Sequence, residues 1–313
     1  MTTAFAIALL AASFSSTLNA QRSINSSLAD EQTAADLIQF LRYQSGDRLG
    51  RPISFTCGLF NTDRAAVKSL VALGTPALPA IQSVLDPLDQ NADNREFVGI
   101  GLLLQAYAGI LRHDAFGRLR RMADNPKLEP LLYDLDDAIA MSLDLTSYVS
   151  SSKPLRKRLD CNRATEPRHA LNQLLLAWLR NDRQWLAAAL GPNASAELRL
   201  LTEQGGWASF RSRLWGERSR DTAVGYRIAD AGRWSEPEET FKDVSEGRAP
   251  IGRDRLEFET MFTNAAGGEC GSQKLTFIKP DVGTTGELPY LIETSKLREL
   301  LSLIASCALT PAQ

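Results

Sequence analysis

Cys270 lies in "GGECGSQ" (residues 267–273), a Cys-Gly-Ser step of the kind that can present a thiolate nucleophile. Such a thiol needs a base within reach, most often a histidine. The chain has two histidines, His113 and His169, and none follows Cys270. The step therefore reads as a turn that contains a cysteine. No CxxC spacing occurs among Cys57, Cys161, Cys270 and Cys307, and two histidines do not complete a zinc site. "GIG" at residues 99–101 lacks the preceding strand and third glycine of a dinucleotide loop. The P-loop, GxSxG and HExxH patterns are absent, so neither a cofactor nor a catalytic residue is expected.

Two other sets have chemical scope. Glu129, Asp134, Asp136, Asp137 and Asp144 fall in one stretch that reads as helical. Asp137 and Asp144 share a face there, with Tyr133 one turn before Asp137. Paired carboxylates can do acid–base or metal work. A solvated face, or ion pairs to Arg118, Arg120 or Arg121, is the commoner use of such a set. The second set is aromatic. Trp178, Trp185, Trp207, Trp215 and Trp234 all fall within one short part of the chain. Trp178 and Trp185 stand two helical turns apart, so these rings are candidates to line a pocket or to fill a core. His169 and Arg211 are the nearest polar residues.

The elements that must hold these residues belong to an exported chain. Residues 1–20 carry no charged side chain, and an apolar run from Ala4 to Phe14 precedes small residues ending at Ala20. That is a signal-peptide pattern, with cleavage expected before Gln21 and a periplasmic or secreted destination. No later stretch is apolar enough for a membrane span. Four cysteines in an exported chain allow three connectivities, or four buried thiols. Pairing within each half would give Cys57–Cys161 and Cys270–Cys307. The first would close about a hundred residues, worth roughly 4–5 kcal/mol in the chain-entropy model. Lys and Arg (35) nearly balance Asp and Glu (37), without the basic excess of a nucleic-acid binder.

At 313 residues the chain is long for one core, and two domains are expected. Residues 31–45 read as a helix, and Asp63 as the cap of another that carries Ala66, Val67, Leu70 and Val71. Gly74 suits a left-handed helix end, Thr75 the next N-cap and Pro76 its first position, with Leu78, Ile81, Val84 and Leu85 continuing the stripe to Pro87. The product is a helix hairpin almost without a loop. "AVKSLVALGTPALPAIQSVL" (residues 66–85) resembles one unit of a HEAT-type repeat of the short bacterial kind. The resemblance implies a helix pair whose surface serves a partner. Residues 95–112, 114–123 and 127–145 also read as helical, either as further degenerate units or as an irregular helical domain.

Ser, Pro and charges concentrate at residues 146–168, where the domain boundary is expected. The expected order is thus a signal peptide (1–20), a helical HEAT-like domain (21–160) and an α+β domain (163–313). Helices resume from Ala170. Beyond residue 222 the period changes to two, with Val224, Tyr226 and Ile228, then Leu256, Phe258, Thr260 and Phe262 turned inward. Further strands follow in "QKLTFIKP" and "LPYLIET", then a closing helix with Thr294 or Ser295 as cap. The fold class is α+β, an all-helical region followed by a domain with a mostly antiparallel sheet. Residues 170–292, with a helix-end step around Asp182 between Trp178 and Leu186, are similar to the cystatin-like roll of nuclear-transport-factor-two-like domains. That likeness implies a cone-shaped pocket.

Two functions follow as expectations. One is an exported binding protein without catalytic activity, its helical region a surface for another protein. The other is a small-molecule binder or enzyme using a pocket in the α+β domain.

Overall fold

A computed structural model of the chain describes residues 30–42, 61–90, 99–152, 167–203, 205–216, 222–228, 255–278 and 290–309. Residues 1–20, expected to be a signal peptide, and Cys57, Cys161 and Trp234 lie outside the described residues. The chain divides into two compact units, Met1–Ile110 and Leu111–Gln313.

In the first unit, helix α1 spans 30–42. Helix α2 (Asn61–Leu73) is followed by a 3-10 turn (Thr75–Ala77) and helix α3 (Leu78–Gln90). The buried residues Ala66, Val67 and Leu70 of α2, and Ile81, Leu85 and Leu88 of α3, keep the three-to-four-residue spacing of one face. Three local expectations are corrected. Asp63 lies inside α2, which starts at Asn61. Gly74, not Thr75, is the N-cap of the turn, with φ 69° and its carbonyl accepting from the Ala77 N–H at 3.0 Å. Pro87 is internal to α3, which runs on to Gln90. Helix α4 (Ile100–Leu111) begins after Gly99, where φ is 70° and a Cβ would strike the Leu41 carbonyl. Only glycine allows the chain to pass so close to α1.

In the second unit come α5 (His113–Ala123), a 3-10 segment (Pro126–Leu131), α6 (Leu132–Ser142) and strand β1 (Ser147–Ser150). Helices α7 (Pro167–Leu179), α8 (Arg183–Ala188), α9 (Pro192–Glu203) and α10 (Gly206–Trp215) precede β2 (Ala223–Ile228). Strands β3 (Arg255–Thr263), β4 (Glu269–Ile278) and β5 (Leu291–Glu293) lead to α11 (Leu297–Leu309). The sheet is antiparallel throughout, in the order β1-β2-β3-β4-β5. The α+β class holds.

Register explains the pattern of side chains. Val149 faces Val224, Tyr226 faces Phe262, Phe258 faces Leu275, and Phe277 faces both Leu256 and Ile292. These residues form one buried face that packs with α7, α9, α10 and α11. On the other face Tyr148 lies opposite Gly225, and Gly225 opposite Thr263. A Cβ at Gly225 would strike Leu145 and Thr263, so glycine lets Leu145 pack flat on the sheet. Further along that face Lys274 pairs with Glu257, and Ser272 bonds to Glu259.

The domain boundary expected at 146–168 is corrected. Strand β1 lies inside that stretch and pairs with β2 beyond it, and the division into units falls at 110/111. The stretch "SYVS" is buried along its whole length, with a serine at each end. A four-residue strand covered on both faces shows no apolar–polar alternation, so it read as linker.

Candidate functional site

Helix α7 ends on a local signal. The N–H of Asp182 donates to the Ala177 carbonyl (2.9 Å) and that of Asn181 to Trp178 (3.3 Å), with Asn181 at φ 62°. This is a Schellman end with asparagine in the left-handed position usually held by glycine. The Asp182 carboxylate then accepts from the Trp185 N–H at 2.9 Å and starts α8. The chain therefore turns between Trp178 and Trp185, which do not share one helix face.

Trp178 is fully buried at the centre of an aromatic cluster. Its ring meets Trp207 edge-on at 5.7 Å, Trp215 edge-on at 5.8 Å and Phe210 at 6.3 Å. Such pairs contribute about 0.5–1.5 kcal/mol each beyond their burial. Trp207, Phe210, Arg211 and Trp215 stand on α10 at three-, four- and eight-residue steps, which is one face. Phe210 was not singled out from the sequence, although that spacing was there to be read. Trp185 sits at the margin of the core, its indole N–H donating to Gln173 Oε1 at 2.8 Å.

A cation lies inside the cluster. The Arg211 guanidinium is 4.8 Å from the Trp178 ring centroid and 4.5 Å from that of Trp215. It donates to the Trp178 carbonyl through Nη1 and to the Leu179 carbonyl through Nη2 at 3.3 Å. Arg211 thus occupies the negative end of α7 and the electron-rich faces of two indoles together. The side chain is buried, so each of these interactions acts with little screening. The rings and the guanidinium fill one another's contact surface. His169 lies on α7 but takes no part in these ring contacts.

The acidic set is dispersed. Asp144 follows α6 with φ 56°, and both its carbonyl (2.9 Å) and its carboxylate (3.2 Å) accept from Arg227. Asp137 is exposed on α6, while Asp136 is buried. Burial brings Asp136 near Tyr148 of β1, whose hydroxyl accepts from Arg120 Nη1 at 2.8 Å. Loss of water around the Tyr148 phenol pushes its pKa up to about 12, against the opposing pull of Arg120. Arg120 also reaches Asp124 at 3.2 Å, one turn along α5. This is a polar joint between α5, α6 and the sheet. Among the described residues no group of three His, Cys, Asp or Glu side chains is placed to hold a metal ion.

Two carboxylates cap helices from far along the chain. Glu293 of β5 accepts from the N–H groups of Asn193 (3.2 Å) and Ala194 (3.0 Å) in the first turn of α9. Glu197 of α9 accepts from Leu297 (3.0 Å) and Arg298 (3.1 Å), which open α11. Thr294, expected as the local cap of α11, accepts from the Lys296 N–H instead (3.0 Å).

Cys270 and Cys307 stand at disulfide distance, their Cα atoms 5.5 Å apart, and link β4 to the last turn of α11. Among the described residues no helix is long and apolar enough to cross a membrane. Comparison with protein-family models, with curated proteins and with solved structures finds no match.

Proposed function

We propose that the chain is an exported binding protein, that α2 and α3 form a HEAT-type unit presenting its outer face to another protein, and that the chain has no catalytic centre of its own. The supporting observation is the composition of that outer face. Among the side chains described there, Ala65, Ala72, Thr75, Pro79 and Ser83 are exposed, and the exposed charges are Lys68 and Asp86. A face with few charges is less costly to bury, because few strongly hydrated groups must lose water. A paired Cys270 and Cys307 fits an oxidising compartment, in keeping with cleavage before Gln21.

A photo-crosslinker placed at Ala65, Ala72 or Ser83 in the native host is expected to capture a protein, and one at Lys274 on the polar face of the sheet is not. Equal capture from both places, or none from the helix pair, would overturn the assignment. N-terminal sequencing of the mature protein is expected to begin at Gln21 or a neighbour.

The alternative places a small-molecule site in a cystatin-like roll formed by residues 170–292, lined by Trp178, Trp185, Trp207 and Trp215. An antiparallel sheet with helices on its buried face favours that roll. The mutual packing of Trp178, Trp207 and Trp215 around Arg211 favours a filled core over a ligand site there. A small molecule that co-purifies and is released by Trp207→Ala would reverse this preference.

A further inference from the structure

The two halves of the Cys270–Cys307 pair have unlike surroundings. Cys307 has no exposed surface and belongs to the core between α11 and the sheet. Cys270 is partly exposed at the margin of that core, next to the exposed Glu269 and close to the exposed Ser272. In thiol–disulfide exchange the attacking thiolate must reach one sulfur from the side opposite the other, so access decides which sulfur is attacked. A thiolate aimed at Cys307 would have to come through the packed side chains of α11. One aimed at Cys270 comes from the surface.

We propose that the pair is a site of S-thiolation by small thiols, opened in one direction only. The incoming thiolate bonds to Cys270 Sγ while the bond between Cys270 and Cys307 breaks. The electron pair of that bond stays on Cys307 Sγ, which leaves as a thiolate and takes a proton from solvent. One S–S bond replaces another, so no further oxidant or reductant is needed. The start of α11 is held separately by the Glu197 carboxylate on Leu297 and Arg298. Exchange therefore frees the last turn of the helix and leaves its first turn docked.

The test treats the full oxidised chain with reduced glutathione in native buffer. The mixture is quenched in acid, unfolded, alkylated at low pH and mapped by mass spectrometry. Glutathione is expected on the Cys270 peptide and the alkyl group on the Cys307 peptide, in roughly tenfold or greater excess over the reverse. Glutathione on Cys307, an even split, or exchange only after unfolding would overturn the proposal. The single variants give a second readout once circular dichroism shows them folded. Cys307→Ser, which leaves Cys270, is expected to react with an aromatic disulfide reagent roughly tenfold or more faster than Cys270→Ser. Equal rates would overturn the proposal. If either variant does not fold, the mapping on the natural chain decides alone.

Discussion

Helix ends are made differently in two regions of this molecule. Between α2 and α3 everything needed lies within a few residues: Gly74 takes a positive φ, Pro76 and Pro79 sit where their missing N–H groups are not required, and a 3-10 turn joins the helices. Around α9 and α11 the caps come from about a hundred residues away, Glu293 onto α9 and Glu197 onto α11. The first arrangement can form as soon as its own segment orders. The second exists only when β5, α9 and α11 are already in place, so it reports the finished tertiary structure.

The largest effect expected tests the core that this long-range network surrounds. Trp178→Ala removes a fully buried indole together with its contacts to Trp207, Trp215 and Arg211. It should cost about 4 kcal/mol in urea unfolding. A cost below about 1 kcal/mol would mean that the cluster is not a packed core.

Next comes a pH effect at the α5–β1 joint. Folding raises the Tyr148 pKa from 10.0 to about 12, so the folded state keeps a proton that the unfolded chain has lost. The stability due to this group is complete below pH about 10 and falls as pH rises towards about 12, by something on the order of 3 kcal/mol. The natural chain should therefore lose stability relative to Tyr148→Phe over that range. Parallel curves would contradict the buried, neutral phenol.

The two long-range caps are expected to be worth about 1–2 kcal/mol each, because each carboxylate takes two backbone N–H groups. Glu197→Ala and Glu293→Ala test this against Asp182→Ala, a local cap on α8 with a single such bond. If the local variant cost more than either long-range one, the contrast between the regions would fail. The smallest effect is expected at Gly74. A Cβ there meets nothing within 4 Å, so Gly74→Ala pays only for a backbone at φ 69° and ψ −139°, a region nearly confined to glycine, about 1 kcal/mol. Thermal melting resolves that difference, and a neutral substitution would show that the turn relaxes.

Much of the fold was legible for a reason visible in these residues. The alternation of Val224, Tyr226 and Ile228, and of Leu256 and Phe258 with Glu257 and Glu259, survives as the two faces of the sheet. The Cys270–Cys307 pairing followed from placing both cysteines in the same half. The candidate site was only partly legible. All four described tryptophans were named, yet the turn at Asn181 separates Trp185 from Trp178, and a left-handed asparagine gives a weaker stop signal than glycine.

What the sequence by itself determined was local: where periodicity is 3.6 or 2, where Gly74 interrupts it, and which side chains seek burial. These depend on neighbours within a turn or a pleat, which the chain holds close whatever its fold. Only the tertiary structure decided that "SYVS" is a strand, that Arg211 occupies the end of α7 between two indoles, and that Glu197 and Glu293 cap helices remote in sequence. Each needs a partner brought from some tens to a hundred residues away, by packing whose energy is spread over the whole core rather than written in any one segment.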